Sequence, residues 1–420
     1  MFLSQRIPHP ITRLSVLIGA VGFRGGAVYT AVVDSARDED EPIQCTTRGG
    51  EWRSLLLIGG ILGVTQLGYY LTASALPLYL RDLGAAQDRI GFEVGLGNIV
   101  GVLIMLALGP ALNRHGANLF LRSAALLYLL AAAGMLMFRE ELPVAALRGL
   151  QGVGSALILP ASMTLAARLL PQRQGMAMGA VGTLNALSLA AGPPIGLILY
   201  GRYGGTGLFV PALVAAAIGL VTVFFVPRVP PNSTPSRGFG FDRAWTPLIA
   251  ANGLAAIYFG GIIAYLPLFL RAQHGPNAGI FFSADAIGVL LLRIPTGLLV
   301  DRRGAFLPMV FGLTITLPGI GILALAPSVL TLVLSGALTG IGAGLFITGL
   351  YTDLAIRSSD ANRGTAMSMS SASFGAAIFA GSAISGLLIG PGGFNAVLIF
   401  GGVTCLLALP FAVLPRIGSP

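Results

Sequence analysis

The side chains best placed to do chemistry in this sequence are a few charged groups inside long apolar runs. Arg148 and Gln151 lie three residues apart in one run, and Asp285 and Arg293 lie eight apart in another. Residues three apart share a helix face, whereas eight residues span about 12 Å of helix axis, too far for a direct ion pair without water. A charge inside a membrane helix costs about 2.5–3.5 kcal/mol to insert, so each group ordinarily faces a cavity or a partner.

Each of these charges has a second interpretation. Arg148 lies about six residues from the end of its run and could extend its guanidinium to the lipid headgroups. Asp285 could carry a transported proton, or it could be a wetted residue at the mouth of a cavity. The residue types and spacings leave both alternatives open.

Metal, disulfide and enzymatic chemistry are not indicated. The chain has two cysteines and three histidines, none at the spacing of metal ligands, and it has no phosphate-binding loop. No two His, Cys or acidic residues occur at catalytic spacing within one apolar run. We therefore expect no enzyme activity, no metal and no cofactor.

The composition requires a lipid environment. Of 420 residues only 10% are charged and 55% are hydrophobic, whereas about 25% of a soluble domain is charged. The net charge of +9 comes from 25 arginines, with no lysine, that are scattered among short loops. We therefore expect the bilayer as a partner, and no nucleic acid.

Twelve apolar spans of about 20 residues, the length that crosses about 30 Å of hydrocarbon, are predicted. They cover residues 53–77, 91–112, 117–138, 143–166, 175–199, 206–226, 245–270, 279–300, 305–326, 328–352, 364–389 and 394–415. The predicted fold class is all-α integral membrane. We expect a disordered tail at 1–52, a six-helix bundle at 53–226, a cytoplasmic linker at 227–244 and a second six-helix bundle at 245–415.

The second six spans repeat the first six. LPLYLR at 76–81 recurs as LPLFLR at 266–271, an offset of 190, and NRHG at 113–116 recurs as DRRG at 301–304, an offset of 188. QGVGSAL at 151–157 and RQGMAM at 173–178 recur at offsets of 188 and 189. An even number of spans per half makes the halves parallel repeats, with a cavity between them near the membrane midplane. Arginines are concentrated on the side of the termini, which places both termini in the cytoplasm.

Two loops carry a resemblance to the major facilitator superfamily that extends over residues 52–415. The loop after the second span resembles the family's G-x-x-x-D-R-x-G pattern, and the loop after the eighth span matches it more fully. The residues are Gly109, Asn113, Arg114 and Gly116, and Gly297, Asp301, Arg302, Arg303 and Gly304. Such loops imply a cytoplasmic gate, because a carboxylate meets a helix N-terminus and arginines reach the facing half. Asn113 lacks the charge, so the first gate should be weaker; solvated basic loops are the alternative.

Two further elements resemble the same family. Arg148 and Gln151 match its R-x-x-Q-G pattern, which implies a role in proton coupling. Gly192, Pro193 and Gly196 resemble the G-x-x-x-G-P-x-x-G element of its antiporter branch, which implies a kink in the fifth span that closes one side of the cavity. A purely structural kink is the alternative.

The family lines its central cavity with the first, fourth, seventh and tenth spans, and tyrosines in three of these are candidates for a substrate wall. The candidates are Gln66, Tyr69, Tyr70, Tyr258, Tyr265, Thr348 and Tyr351. Anchoring at the membrane interface is the alternative for any single tyrosine. The first span contains no Asp or Glu, although several proton-coupled exporters of the family have one there.

The resemblance and the residues together predict a secondary transporter that works by alternating access. We expect proton-coupled efflux of a small amphipathic molecule by a monomer, with Arg148, Gln151, Asp285 and Arg293 as coupling residues. Uptake or facilitated diffusion of a metabolite such as a sugar or carboxylate is the alternative, which the acid-free first span favours. A transporter-like membrane sensor is a third possibility.

Overall fold

The computed structural model describes residues 48–170, 174–229, 242–358 and 363–413. This part of the chain contains ten α-helices and no strand, and it belongs to one compact unit, Thr46–Pro420. The helices are α1 (Arg48–Asp82), α2 (Gln87–His115), α3 (Ala117–Met137), α4 (Glu141–Leu169), α5 (Gln174–Thr222), α6 (Thr246–Ala272), α7 (Gly279–Arg303), α8 (Phe306–Ile322), α9 (Val329–Ile356) and α10 (Arg363–Val413). The predicted tail up to residue 47 and the linker residues 230–241 lie outside the described residues.

The two longest helices each contain two helical segments. Helix α5 has 49 residues and α10 has 51, which corresponds to about 75 Å of helix at 1.5 Å per residue, more than twice the hydrocarbon thickness. Each is interrupted by a glycine outside the helical region, Gly204 (φ 60°, ψ −148°) and Gly393 (φ 62°, ψ −165°). The sequence predicted breaks at these two places, between 199 and 206 and between 389 and 394.

Seven of the described helices are long and apolar enough to cross a membrane: α1, α3, α4, α5, α6, α9 and α10. Helix α8 is apolar but has only 17 residues. Helices α2 and α7, which carry Glu93, Asp285 and Arg293, are not among the seven. The membrane-spanning all-α fold is therefore confirmed, whereas the count of twelve spans and the domain boundaries stay predictions.

The backbone repeats between the halves at the offsets that the sequence predicts. The described residues with positive φ form three pairs: Gly84 (95°) with His274 (50°), Gly116 (83°) with Gly304 (78°), and Gly204 with Gly393. The pairs are 190, 188 and 189 residues apart. A left-handed residue is costly except in glycine, so its recurrence at matching turns indicates that both halves have the same connections.

Helix packing follows the same repeat. Helix α1 packs on α5 as α6 packs on α10, and α2 packs on α4 as α7 packs on α9. Two matching contacts join the halves, α2 with α10 and α5 with α7. We call the end of the bundle where α1 and α6 end the distal face, and the end where they begin the proximal face.

Candidate functional site

Arg148 of α4 is buried inside the bundle, with 2% of its surface exposed. Its guanidinium donates from Nη1 to Gln151 Oε1 at 3.0 Å and from Nη2 to the Tyr69 hydroxyl at 3.1 Å. The guanidinium carbon also lies 4.5 Å from the centroid of the Tyr69 ring, within cation–π range. The guanidinium thus lies between α1 and α4 and does not reach toward the end of α4.

The crossing of α2 and α4 leaves room for the Arg148 side chain because a glycine faces it. A Cβ at Gly97 would lie 2.9 Å from the Arg148 carbonyl oxygen and 3.2 Å from its Nε. One turn further along α4, a Cβ at Gly152 would overlap the Gly97 carbonyl. These two glycines bring the helices close enough for the guanidinium to reach Tyr69 on the far side.

Polar side chains continue from Arg148 through the N-terminal half. Gln151 Nε2 lies 3.4 Å from Thr72 Oγ1. The Tyr128 hydroxyl donates to Gln66 Oε1 at 2.7 Å, and Gln66 Nε2 donates to Asn185 Oδ1 at 3.1 Å. We call this group the Arg148 cluster; it comprises Gln66, Tyr69, Thr72, Tyr128, Arg148, Gln151 and Asn185. Among the described residues, no carboxylate forms an ion pair with Arg148.

A cavity of about 150 Å³ lies beside the Arg148 cluster and between the halves. It is lined by the predicted residues Gln66, Tyr69 and Tyr70, together with Ser155 of α4. Helix α10 of the other half contributes Ser371 and Gly375. The stripe predicted on the first span therefore does face a cavity.

Asp285 of α7 occupies a contrasting site in the C-terminal half. Its surface is 8% exposed, and Thr339 Oγ1 lies 2.8 Å from its Oδ1. A Cβ at Gly336 would approach the Asp285 backbone nitrogen to 3.2 Å, and one at Gly340 would overlap the Asp285 carbonyl. No ion pair to Asp285 exists in the described part of the chain.

Asp285 lines a cavity of about 140 Å³ that is otherwise nearly apolar. We call it the Asp285 cavity. Its lining includes the predicted Tyr258, together with Phe259, Phe346 and Phe374. Its remaining walls are Leu189, Asn252, Ala255, Ala256, Val289, Leu313, Thr316, Ala343, Ile347 and Cys405. All but Leu189 belong to the C-terminal half.

Several predicted cavity residues lie elsewhere. Tyr265 is seven residues from Tyr258, and two helical turns carry it to the distal face, where its hydroxyl donates to the Gln87 carbonyl and accepts from the Gly91 nitrogen, both at 2.9 Å. Tyr351 lies 3.3 Å from Ser371 of α10 and, like Thr348, does not line the Asp285 cavity. These three residues are not part of one substrate wall with Tyr258.

Arg293 also lies apart from the other predicted coupling residues. Its side chain is exposed on α7, two turns beyond Asp285. The expectation that this charge lies inside the bundle is wrong, because the side chain is exposed, and its role in coupling stays a prediction.

The predicted kink in α5 takes another form. The dihedral angles of α5 stay helical at Pro193 and leave the helical region at Gly204 instead. A Cβ at Gly192 would lie 2.5 Å from Tyr70 Cβ, and one at Gly196 would overlap the Leu71 carbonyl. The glycines therefore allow α5 to pack closely against α1, and the Ser74 hydroxyl of α1 donates to the Pro193 carbonyl oxygen at 3.4 Å.

The two predicted gate loops lie at the proximal face. Gly116 and Gly304 have φ values of 83° and 78°, and the Gly304 nitrogen donates to the Val300 carbonyl at 2.8 Å. Arg302 and Arg303 are exposed, and a Cβ at Gly297 would meet nothing within 4 Å. The side chains of Asn113, Arg114 and Asp301, and the surroundings of Gly109, lie outside the described residues.

A cross-half contact at the distal face was missed by sequence reasoning. Arg271 of α6 pairs with Asp82 of α1 at 2.9 Å, and the Tyr200 hydroxyl of α5 donates to the same carboxylate. We call these three residues the distal clamp. Asp82 follows the repeated string 76–81, and Arg271 is the last residue of its counterpart 266–271, but no local signal joins residues 189 positions apart.

Glu93, near the start of α2, is a second buried group that sequence reasoning missed. It is 7% exposed, and its Oε2 atom is buried without a hydrogen-bond partner among the described residues. Its neighbour Glu141 is paired with Arg89 at 3.2 Å. The cause is tertiary, because α10 packs against α2 at Gly91 and Gly95, on either side of Glu93, and Glu141 of α4 reaches Arg89.

Comparisons with known proteins identify the architecture. The sequence profile of the Major Facilitator Superfamily matches residues 58–277 and again 248–419. An uncharacterised MFS-type transporter of Salmonella typhimurium is 27% identical over 84% of this chain and 94% of its own length. The multidrug resistance protein MdtG of Proteus mirabilis is 24% identical over 67% of this chain and 75% of its own length. The crystal structure of the nucleoside transporter NupG superposes with a TM-score of 0.74 at 14% identity, over 86% of this chain and 99% of that one, which shows the fold alone.

Proposed function

We propose that this chain, which belongs to the Major Facilitator Superfamily, exports a small amphipathic organic molecule in exchange for protons by alternating access. That the chain is a transporter of the membrane follows from the family; the direction, the coupling ion and the substrate class are the proposal. Two relatives named as multidrug resistance proteins are consistent with export.

The proposal rests on the environment of Asp285. This residue is a buried carboxylate that lines a cavity and has no basic partner in the described part of the chain. Such a group is stable in an apolar cavity only when a proton or another cation neutralises it. A carboxylate that must acquire and lose a cation is what a proton-driven exchanger requires.

Arg148 provides a fixed charge in the other half. Its hydrogen bonds to Tyr69 and Gln151 satisfy it without a carboxylate. In the proposed cycle Arg148 stays charged and holds α1 and α4 together, while the protonation of Asp285 changes. Gln151 is then a positioning residue, because it acts on the guanidinium.

Alternating access requires contacts between the halves that can break. The distal clamp and the Tyr265 contacts join α1 and α2 to α6 across the halves. With both termini in the cytoplasm, as the arginine distribution predicts, these contacts close the outer side. The gate loops at Gly116 and Gly304 would close the cytoplasmic side when the distal contacts open.

Reconstituted vesicles test the proposal. An imposed proton gradient should drive uptake of a fluorescent amphipathic substrate into inside-out vesicles, and a protonophore should abolish it. Substrate movement that the protonophore leaves unchanged would instead indicate facilitated diffusion. Absence of counterflow with any substrate would contradict transport itself.

A further inference from the structure

We infer that the Asp285 cavity binds the ammonium group of an organic amine, so that the transported molecule is a small cation with an aromatic or aliphatic body. The inference rests on the proposed function and narrows it to a substrate class. It begins from the contents of the cavity, which are one carboxylate, four aromatic rings and few other polar groups. Of these, the Asn252 amide donates to Ser370 and the Thr316 hydroxyl donates to the Gly312 carbonyl.

The repeat shows that this apolar character is specific to one half. Positions that line the cavity at Ala256, Phe259, Ala343 and Phe374 correspond to Gln66, Tyr69, Ser155 and Asn185 in the first half, at offsets of 188–190. At each of these four positions the first half has a polar side chain and the second half an apolar one. At these four positions the second half therefore lacks groups that would hydrogen-bond a neutral polar ligand, and it carries the carboxylate of Asp285 where the first half has Gly97.

A carboxylate surrounded by rings selects a cation. Asp285 supplies the opposite charge, and the rings of Tyr258, Phe259 and Phe374 that line the cavity can attract an ammonium group through their quadrupoles. An anion would be repelled by Asp285, and a neutral ligand would leave the carboxylate without an opposite charge.

The size of the cavity limits what enters it. Its volume of about 140 Å³ is below the roughly 300–1,000 Å³ of a site that encloses a drug-sized ligand. It can therefore hold the ammonium end and one ring, while the rest of the substrate extends outward. Phe374 lines this cavity and the adjacent Gly375 lines the cavity of the first half, so both cavities reach the same turn of α10.

Exchange follows from the competition of two cations for one carboxylate. A proton and an ammonium group cannot both neutralise Asp285, so arrival of one releases the other. The other titratable groups that line the cavity, Tyr258 of α6 and Cys405 of α10, are uncharged near neutral pH. Arg293 on the same helix is exposed and does not face the cavity.

Three near-isosteric probes test the inference on the purified full chain. Equilibrium dialysis with radiolabelled benzylamine at pH 7.5 should show saturable binding that unlabelled benzylamine displaces. Benzyl alcohol, which is neutral, and benzoate, which is an anion, should displace it at least tenfold less well. Equal displacement by benzyl alcohol would overturn the inference, and this result needs no variant.

A matched pair of variants locates the binding. Asp285→Asn should weaken benzylamine binding at least tenfold, whereas Asp353→Asn should leave it unchanged, because Asp353 lies at the proximal end of α9, paired with Arg357 at 3.0 Å. Unchanged binding by Asp285→Asn would refute the assignment. If the protein performs counterflow of neutral or anionic substrates but does not bind benzylamine, the inference is contradicted and the proposed function is not. If it binds benzylamine but shows no counterflow with any substrate, the proposed function is contradicted and the inference is not.

Discussion

The Arg148 cluster and the Asp285 cavity occupy corresponding helix crossings in the two halves, but the charge is on opposite helices. In the α2–α4 crossing, Arg148 belongs to α4 and Gly97 of α2 faces it. In the α7–α9 crossing, the position of Gly97 is taken by Asp285, and the position of Arg148 is taken by Gly336. One crossing therefore carries a cation and the other an anion, and each faces a glycine.

The supporting residues correspond as well. Gln151, which accepts from Arg148, is matched by Thr339, which lies 2.8 Å from Asp285. Gly152 and Gly340 each bring the paired helices into backbone contact. The difference teaches that the repeated backbone fixes a site for one buried charge per half, while the surrounding side chains decide its sign. Polar neighbours satisfy Arg148 internally, and apolar neighbours leave Asp285 available to a ligand.

The largest effect is expected from Arg148→Ala, which removes the buried charge at the crossing of α2 and α4. Gln151 and Tyr69 would lose their donor, and we expect proton-driven transport to fall at least about 100-fold, equivalent to roughly 3 kcal/mol. Vesicle flux checks the rate, and size-exclusion chromatography checks that the variant still inserts and folds. Activity near that of the wild type would indicate that the guanidinium has no role in transport.

The close crossings themselves can be broken by adding one methyl group. Gly152→Ala and Gly340→Ala each place a Cβ against a backbone carbonyl, and overpacking of this kind costs about 1–3 kcal/mol. Gly182→Ala is the matched control, since a Cβ there meets nothing within 4 Å. Thermal unfolding in detergent should show lower midpoints for the first two variants. If the unfolding midpoint of either variant equals that of Gly182→Ala, the close approach of the two helices at that glycine is contradicted.

Asp285→Asn tests whether the charge at the α7–α9 crossing, unlike that at the α2–α4 crossing, binds and releases a proton during transport. We expect transport to lose its dependence on pH and its rate under a proton gradient to fall about tenfold, or about 1.4 kcal/mol, because the amide cannot bind and release a proton. The measurement is uptake against pH in vesicles. An unchanged pH profile would exclude Asp285 as the proton carrier. The two buried charges would then differ in structure but not in a demonstrated role in coupling.

The smallest effect is expected at the distal clamp. Arg271→Gln removes an ion pair whose side chains are 53% and 44% exposed, and such pairs contribute about 0.2–1 kcal/mol. The population closed at the distal face should therefore decrease by at most a few-fold. Labelling of a cysteine introduced at Gly201, which lines the cavity beside the distal clamp and where an added Cβ meets nothing within 4 Å, measures the change. Labelling equal to that of the same cysteine in the Arg271 parent would show that the pair does not hold the face shut.

Much of the fold could be predicted because its signals are local or periodic. Apolar runs predicted the helices to within several residues, and repeated strings predicted the turns at Gly116 and Gly304. The length of the runs also predicted that α5 and α10 break near Gly204 and Gly393. The site was harder: Arg148, Gln151 and Asp285 were found by their charge or motif, but Thr339, Asn185 and Tyr128 are ordinary polar residues whose partners come from other helices.

The errors have a common physical cause. Seven-residue spacing placed Tyr258 and Tyr265 on one face of α6, but the same spacing separates them by about 10 Å along the axis. Arg293 was expected inside because it is charged in an apolar run, yet the rotation of α7 turns it outward. Rotation and depth depend on which helices pack together, and a single sequence does not contain that information.

The sequence by itself determined the solvent, the helical class, the repeat and the few charges that a membrane protein keeps in its spans, because each depends on composition or spacing along the chain. Only the tertiary structure decided that Arg148 lies among polar partners and Asp285 in a mainly apolar cavity, that Glu93 is buried, and that Asp82 meets Arg271. The physical reason is that a buried charge is stabilised by groups from several helices, and these groups come together only when the helices have packed.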